Sequence, residues 1–465
     1  MPYDLLLVGG RVIDPDGGRD GAADVAVAGG RIAAVGADLP RAAAREVVDV
    51  TGRLVTPGLV DLHTHVFPGA TYWGIDPGPA AWCSGVTTWV DAGSAGAYGI
   101  DALRAAIRGH RVRVPVLLNI SAVGLTGLTG ESRDLAACDT DLAITTITAN
   151  RDVVYGVKAR IDANTVGANG LEPLRRAITV ARACEVPVMV HVGVAPPTVA
   201  ELLPLLGAGD IVTHCASGIA LGRGGLDPAL RRAYDAGVLF DIGHGSGGFA
   251  YDVLEAQLAA GMPPHVVSTD LHARSLHGPA FDLPTTMAKL LAVGLPLGQV
   301  VAAATCAPAR ALGLPAGTGT LAVGAPADLA VFAVERGGFP LADAHGQVRS
   351  APMRLRNEAT YVAGRLLPPS LPAPPPPWVP LTAAQRAALA DRDRAVRALL
   401  TVPLVPPAAW PSSSPRLTGP PEADQRHATR VRSGSRPDLV SGAWPGCRRR
   451  RRRWRSSGRR GRRSW

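Results

Sequence analysis

The chain contains 465 residues, of which 47% are hydrophobic and 18% charged, a composition typical of a folded globular protein. This length is too great for one average domain, and no stretch is long and apolar enough to predict a transmembrane helix. The net charge of +10 arises in residues 401–465, whose 16 arginines and three acidic residues give +13 and leave −3 for the other 400 residues. The basic character therefore belongs to the C-terminal tail and not to the body of the protein.

Cysteine usage and the N-terminus favour a cytoplasmic protein. The six cysteines are scattered and form no Cys-x-x-Cys pair, which is typical of free thiols in a reducing compartment. The first ten residues carry neither a basic segment nor a small-residue cleavage site, so we expect no signal peptide.

Short strands are predicted at both ends of the folded region. Residues 3–55 contain apolar runs separated by Gly-Gly and Pro-Asp-Gly turn signals, and a similar pattern returns over residues 319–368. We expect the two ends, residues 1–57 and 318–368, to pair into one small β-sandwich domain.

The middle of the chain, residues 58–317, alternates short apolar runs with helical patterns, which predicts βα units around a parallel sheet. One predicted helix, residues 227–236, begins with Asp227 as an N-cap and Pro228 at the first helical position. Eight strands over this span are typical of a (β/α)8 TIM barrel of about 250 residues. The predicted fold class is therefore α/β. The strands are predicted at residues 59–65, 86–91, 114–120, 154–158, 187–191, 210–214, 238–242 and 266–270.

Residues 369–465 differ in composition from the rest. A proline-rich segment comes first, a helix-compatible stretch covers residues 383–400, and proline, serine and arginine then prevail without periodicity. We expect this tail to be mostly disordered. A basic tail can bind nucleic acid, but no aromatic platform or folded reader module accompanies it, so we do not predict a nucleic-acid partner.

Two histidines mark the first strand of the predicted barrel. A Pro57-Gly58 turn leads into an apolar run that carries His63 and His65 at positions i and i+2. Side chains two apart on a strand point to the same face, so both imidazoles converge on one point. Such a pair suits a divalent transition metal, although an isolated His-x-His is also compatible with histidines that merely face solvent.

Four further polar residues end predicted strands four, five, six and eight. They are Lys158, His191, His214 and Asp270. In a (β/α)8 barrel the active site lies at the carboxyl ends of the strands. A single histidine after an apolar strand is more often a core residue, but this set, together with His63 and His65, predicts a metal site.

The set resembles the amidohydrolase superfamily, and within it the amidohydrolase/deacetylase family of dihydroorotase-like metallohydrolases. The resemblance covers residues 3–368 and ends there. The matching stretches are Pro57-Gly-Leu-Val-Asp-Leu-His-Thr-His-Val-Phe, Gly85-Val-Thr-Thr-Trp-Val-Asp-Ala-Gly-Ser-Ala-Gly, Asn119-Ile-Ser, Gly156-Val-Lys-Ala-Arg, Thr213-His-Cys, Asp241-Ile-Gly-His-Gly-Ser-Gly and Ser268-Thr-Asp-Leu-His.

The resemblance implies a centre of two divalent metal ions. His63 and His65 would hold the more buried ion, and His191 and His214 would hold the outer one. Asp270 would ligate the buried ion and act as the proton shuttle. Zinc is the default ion for histidine and carboxylate ligands with open water positions.

Lys158 would bridge the two ions after carboxylation of its amine. A free ammonium would be a poor ligand between two cations, whereas carboxylation makes an anionic oxygen donor. The alternative role for Lys158 is a buried salt bridge.

The implied reaction is hydrolysis of an amide or ester bond in a small acylated acid, as in a deacetylase. Two ions about 3.5–4 Å apart lower the pKa of a shared water and polarise the carbonyl, which a metal-activated hydroxide then attacks. A cyclic-amide hydrolase of dihydroorotase or hydantoinase type is the alternative, and a non-catalytic barrel scaffold is the alternative from another class. Such barrels are commonly homo-oligomers, but no feature indicates a subunit number.

Two residues are candidates for substrate binding. Arg160, two residues after Lys158, could grip a substrate carboxylate with its planar guanidinium, although a surface or interface role is also open. His244 lies in a glycine-rich stretch after the seventh strand and is predicted to contact the substrate, not a metal.

Overall fold

Two β-sheets organise the part of the chain that the computed structural model describes, which is residues 2–71, 73–127, 129–221, 225–370, 381–387, 389–391 and 394. The strands are β1 (Tyr3–Asp14), β2 (Arg19–Ala28), β3 (Arg31–Gly36), β4 (Ala44–Asp49), β5 (Leu54–Pro57), β6 (Leu59–Thr64), β7 (Val86–Ala92), β8 (Val116–Asn119), β9 (Val154–Ile161), β10 (Val188–Val192), β11 (Ile211–Thr213), β12 (Leu239–Asp241), β13 (Leu329–Ala342), β14 (Val348–Val362) and β15 (Arg365–Leu366).

Helices occupy most of the connections between the strands of the middle region. They are α1 (Gly78–Ser84), α2 (Ile100–Ile107), α3 (Thr140–Ala149), α4 (Ala163–Val166), α5 (Glu172–Ala183), α6 (Val199–Leu202), α7 (Pro228–Asp235), α8 (Tyr251–Ala259), α9 (Leu283–Ala292), α10 (Leu297–Ala303) and α11 (Cys306–Ala311). Short 3-10 turns cover Arg41–Ala43, Leu135–Ala137, Gly167–Asn169, Leu203–Leu205 and Ser275–His277.

The first sheet joins the two segments that flank the middle region. Its order is β15-β14-β13-β5-β1-β2-β3, with β4 also paired to β1. The N- and C-terminal parts meet where β5 runs antiparallel to β13, with Val55 opposite Val331. The sequence predicted a β-sandwich, whereas the structure has one hydrogen-bonded sheet of eight strands. The reason is that β1 is long enough to pair with β4 and β5 along one edge and with β2 along the other.

The second sheet is a curled sheet of seven parallel strands, β6 to β12, in chain order. Alternate residues of β6 face two different hydrophobic cores. Val60 and Leu62 pack inside the curl with residues of the other strands, in the inner core, and Leu59 packs among the helices, in the outer core. This alternation follows from the period of two along a strand. Seven of the eight predicted strands are therefore present, close to the predicted positions.

The last predicted strand, residues 266–270, does not form a regular strand. Val266 makes a single parallel bridge to β12, and Leu271, the residue after the predicted strand, makes one to β6. The Asp61 carboxylate accepts the Thr269 backbone N–H at 3.0 Å and the Thr269 hydroxyl at 2.6 Å. These bonds interrupt the hydrogen-bond ladder of the segment. Asp270, moreover, has a left-handed φ of 46°. The prediction of eight regular strands is corrected to seven strands and an irregular segment.

Local helix signals are confirmed where they were strongest. Helix α7 begins at Pro228, and the Asp227 side chain caps it by accepting the backbone N–H of Ala229 at 2.7 Å. The apolar face of this helix, which includes Leu230, packs in the outer core.

Little of the predicted tail belongs to the described chain. Within the predicted helix at 383–400, residues 383–387, 389–391 and 394 are helical, and the rest lies outside the described residues, as does everything from residue 395 on. Gln385 Nε2 donates to the carbonyl of Gly278 at 3.0 Å. In the described ranges, no helix has the length and apolar character needed to span a membrane.

Candidate metal centre and active site

All six residues predicted as metal ligands line a single cavity of about 400 Å³ beside the carboxyl ends of the parallel strands. They are His63 and His65 at the end of β6, Lys158 in β9, His191 in β10, His214 after β11, and Asp270 in the irregular segment. The curl of the sheet brings together residues that lie up to two hundred positions apart in sequence.

The buried side of the cavity holds a compact group of donor atoms. One ligand atom each from His63, His214 and Asp270 lie within 4.8 Å of one another. Asp270 Oδ1 is 3.4 Å from His63 Nε2 and 3.1 Å from His65 Nε2. Imidazole nitrogens and a carboxylate oxygen at this spacing form a donor set that suits zinc.

Hydrogen bonds on the outer nitrogens determine which nitrogen faces the cavity. The Thr213 hydroxyl donates to Asp241 at 2.7 Å, so its oxygen accepts from His63 Nδ1 at 2.8 Å. The Ser94 hydroxyl likewise bonds a carboxylate, that of Asp91, and its oxygen lies 3.0 Å from His65 Nδ1. We therefore assign the proton of both imidazoles to Nδ1. The unprotonated Nε2 atoms then face Asp270, an arrangement that repels unless a cation lies between them.

The second histidine pair, His191 and His214, also brings two unprotonated nitrogens together. His214 Nδ1 donates to the Gly243 carbonyl at 2.5 Å, and His191 Nε2 donates to Asp162 at 3.1 Å. The remaining nitrogens, His214 Nε2 and His191 Nδ1, face each other at 2.8 Å with their lone pairs. A cation shared by both relieves this repulsion, so the residues present fit a metal ion.

Burial keeps the imidazoles of His63, His191 and His214 uncharged. It lowers the pKa of His63 well below its ordinary value, lowers that of His191, and lowers that of His214 to about 3, where repulsion from His191 adds to the effect. Neutral imidazole is the form that binds metal ions.

Lys158 is fully buried, and its Nζ lies 2.9 Å from His63 Nε2. Within the described ranges it forms no salt bridge, although the charges of nearby carboxylates, Asp270 first among them, act on its amine. Burial lowers the pKa of Lys158 to about 7. A large fraction of its amine is therefore neutral at physiological pH, and the neutral amine is the nucleophile that reacts with carbon dioxide.

The backbone is strained or crowded around these groups. His214 and Asp270 both have left-handed φ angles, 63° and 46°, which residues other than glycine adopt only where their surroundings enforce it. Gly93 leaves room for Lys158, since a Cβ at this position would lie 2.7 Å from the lysine Cβ. A Cβ at Gly245 would lie 2.3 Å from Asp270 Oδ2.

Three buried aspartates behind the site were not assigned roles from the sequence. Asp61 binds Thr269 as described above, Asp91 accepts the backbone N–H of Val66 at 2.9 Å, and Asp241 accepts the Ser268 and Thr213 hydroxyls. Burial raises the pKa of Asp61 to about 7 and that of Asp241 to about 6. Asp91 and Asp241 end β7 and β12, so their position at strand ends was an available signal.

Of the two predicted substrate contacts, one lines the cavity and the other does not. Arg160 lines the cavity, with Nη1 3.2 Å from Glu131 Oε1. His244 is fully buried and does not line the cavity; its Nε2 lies 2.7 Å from Lys289 Nζ, and its ring stacks on Phe249.

The prediction for His244 is corrected on this point. Gly243 and Gly245 both have positive φ and turn the chain so that the intervening side chain points into the core. Residues 246–248 of the same stretch do line the cavity. Trp73, His272 and Arg274 also line it and were not identified from the sequence as substrate contacts.

Comparison with known proteins places this site in a family. The model of the amidohydrolase family matches residues 54–203 and 195–352. A deacetylase of Agrobacterium fabrum is 37% identical over 340 residues, which cover 71% of this chain and 83% of the relative. The chain belongs to the amidohydrolase family. A deacetylase of Enterococcus faecalis is 34% identical over 375 residues, covering 79% of this chain and 99% of that protein.

Solved structures agree with this membership. A structure described as an adenine deaminase superposes with a TM-score of 0.73 at 33% identity and covers 78% of this chain and 99% of its own. One described as a dihydroorotase has a TM-score of 0.71 at 34% identity, covering 78% and 98%. This amidohydrolase is thus an enzyme of the class that hydrolyses carbon–nitrogen bonds, as the sequence predicted.

Proposed function

We propose that this amidohydrolase is a metal-dependent deacetylase that cleaves the amide or ester bond of a small acylated acid. The observation that carries the proposal is the convergence of unprotonated histidine nitrogens, Asp270 and Lys158 on one cavity. Support for deacetylation comes from relatives of that description that align over most of their length.

The proposed cofactor is a pair of divalent ions, with zinc as the expected metal. His63, His65 and Asp270 would hold the inner ion, and His191 and His214 the outer ion. Carboxylated Lys158 would be a ligand of both ions. When bound, such ions lower the pKa of a water molecule and withdraw electron density from a substrate carbonyl.

The protein residues then supply orientation and proton transfer. Asp270 accepts the proton of the attacking water and delivers it to the leaving nitrogen or oxygen, which is general acid–base catalysis at one carboxylate. The hydroxyls of Thr213 and Ser94 hold the His63 and His65 rings in one tautomer.

We further propose that the curled sheet is a (β/α)8 barrel in which residues 266–271 close the circle between β12 and β6. The bridges on both sides of this segment support closure. In this proposal the barrel spans residues 58–317, and residues 1–57 and 318–368 form the companion β-domain.

Hydrolysis of a cyclic amide is the second candidate. It is favoured by the similarity to a structure described as a dihydroorotase. Both reactions need the same metal chemistry, so the shape of the cavity wall decides between them.

A substrate panel on the zinc- and bicarbonate-loaded enzyme tests the proposal. We expect turnover of N-acetylated amino acids or acetylated hydroxy acids, and its loss after chelation of the metal. Turnover restricted to dihydroorotate or hydantoins would establish the second candidate instead. Turnover of adenine alone would contradict both.

A further inference from the structure

Two of the described arginines line the cavity, and they differ in how their charges are balanced. Arg160 forms a salt bridge with Glu131 through Nη1 and Oε1 at 3.2 Å, and the glutamate side chain is only 4% exposed. The charge of Arg160 is therefore compensated inside the protein before any substrate enters.

Arg274 has no such compensation. Its Nε is buried and has no hydrogen-bond partner, and its guanidinium forms no salt bridge within the described ranges of the chain. A buried donor without a partner is energetically costly, and a ligand group that accepts from it would remove that cost.

The acidic groups of the cavity wall are already engaged by other bases. Asp162 accepts from His191, and Asp270 faces His63 and His65. Lys158 is assigned to the metal ions in the proposed function, so among the described residues that line the cavity Arg274 is the cation left for an anion from outside.

The loop that carries Arg274 is held in place by its backbone. The Arg274 N–H donates to His272 Nδ1 at 3.2 Å, and its carbonyl accepts from Gln385 Nε2 at 3.4 Å. Two backbone hydrogen bonds thereby anchor the turn that brings Arg274 to the cavity wall.

We propose that Arg274, and not Arg160, binds the carboxylate of the substrate and makes the enzyme selective for acylated acids over neutral acylated compounds. A guanidinium can bind a carboxylate through two parallel hydrogen bonds, which provides orientation as well as affinity. The inference rests on the proposed deacetylase function and identifies the residue that would set its substrate class.

The test compares N-acetylated amino acids with their own carboxamides, which carry the same scissile bond without the negative charge. The zinc- and bicarbonate-loaded full chain is assayed, with p-nitrophenyl acetate as a neutral probe of hydrolysis. We expect the wild type to prefer the acid. Arg274→Gln should reduce the acid-to-amide ratio of kcat/KM about ten- to a hundredfold, the range for loss of a charge-assisted hydrogen bond.

Further variants separate the effect of the positive charge from that of the planar guanidinium and from a failure to fold. Arg274→Lys keeps the charge but loses the planar fork, so its ratio should lie between those of the wild type and Arg274→Gln. Arg160→Gln should change the kinetics of acid and amide alike. Arg232→Gln, at an exposed site on α7, should change neither. If Arg274→Gln does not fold, the wild-type ratio and Arg274→Lys decide the question.

An unchanged ratio in Arg274→Gln, or a selective loss in Arg160→Gln, overturns the inference. So does a wild type that hydrolyses p-nitrophenyl acetate yet treats acid and amide alike, and in that case the proposed function stands. Failure of the metal-loaded wild type to hydrolyse any probe overturns both.

Discussion

Thr213 shows how single residues behind the cavity prepare the metal ligands. Its hydroxyl connects His63 Nδ1 to Asp241, so one proton arrangement is imposed on the imidazole. Hydrogen-bond partners of metal ligands in this position typically contribute ten- to a hundredfold to metal affinity. The sequence placed Thr213 next to His214 but offered no reason to connect it with a histidine 150 residues away.

Thr213→Val should therefore weaken zinc binding about tenfold or more while leaving a folded protein. The measurement is a competition titration of bound zinc against a chelator, followed by activity at saturating zinc. Thr88→Val is the matched control, since Thr88 is equally buried but its hydroxyl has no partner among the described residues. Equal zinc affinity in the wild type and Thr213→Val would contradict the role of the hydroxyl.

At the scale of elements, the end of β7 has to leave space for the lysine of β9. Gly93 has φ 83°, and a Cβ there would lie 2.7 Å from both Cβ and Cγ of Lys158. Adding a methyl group combines backbone strain with a clash against the buried stem of the lysine side chain.

We expect Gly93→Ala to reduce kcat/KM at least tenfold and to destabilise the fold by about 1–3 kcal/mol. Gly109→Ala separates the two effects, because Gly109 also has a positive φ, 97°, but no atom within 4 Å of the added Cβ. It should cost stability without loss of activity. Steady-state kinetics and urea unfolding of both variants check this, and equal kinetics in the two would contradict the packing argument.

Helix α9 buries a lysine that the catalytic proposal does not use. Lys289 Nζ donates to His244 Nε2 and to the Pro279 carbonyl, both at 2.7 Å. Burial lowers the pKa of Lys289 from 10.5 to about 7, although the charges of Asp343 and Asp282 oppose the shift. Between pH 7 and 10.5 the unfolded chain therefore binds more protons than the folded one, and stability rises with pH in this window.

Relative to Lys289→Met, the wild type should gain about 1 kcal/mol of unfolding free energy per pH unit between pH 7.5 and 9.5. Below pH 7 both states are protonated, so the difference should level off. Urea unfolding of both proteins at several pH values and constant zinc measures it. A difference that stays constant across the window would contradict the lowered pKa.

At the scale of the whole molecule, we expect different parts of the C-terminal region to differ in their effect on hydrolysis. Residues 1–402 form one compact unit, and the segment after the proline-rich stretch contributes Leu381 to the outer core and Gln385 to the loop that carries Arg274. The sequence predicts a mostly disordered tail from residue 369, and removal of such a tail would be expected to leave hydrolysis intact. These contacts indicate that it would loosen the substrate-binding loop.

A chain ending at residue 402 should retain kcat/KM within about twofold, whereas one ending at 370 should show a higher KM. The reason is that only the shorter chain loses the hydrogen bonds of Gln385 to the loop. Gln385→Ala in the full chain is the control and should reproduce part of the increase in KM. Equal KM values in the two truncations would contradict this division.

Much of the architecture could be predicted from the sequence because its signals are local. Short apolar runs that alternate with helical patterns located seven parallel strands, and polar residues at their ends identified the group that lines the cavity. The capping signal at Asp227 likewise depends only on adjacent residues. The family followed from the same motifs.

The tertiary structure alone decided the features that depend on distant partners. Asp61 and Thr269, 208 residues apart, interrupt the last predicted strand. Two glycines turn His244 into the core, and Glu131 neutralises Arg160 while Arg274 has no such partner within the described chain. Whether a charge is compensated, and which nitrogen of an imidazole faces a cavity, depends on groups that only folding brings within hydrogen-bond distance. Sequence spacing therefore identified the candidate ligands, and tertiary contacts decided their protonation and the residue that faces the substrate.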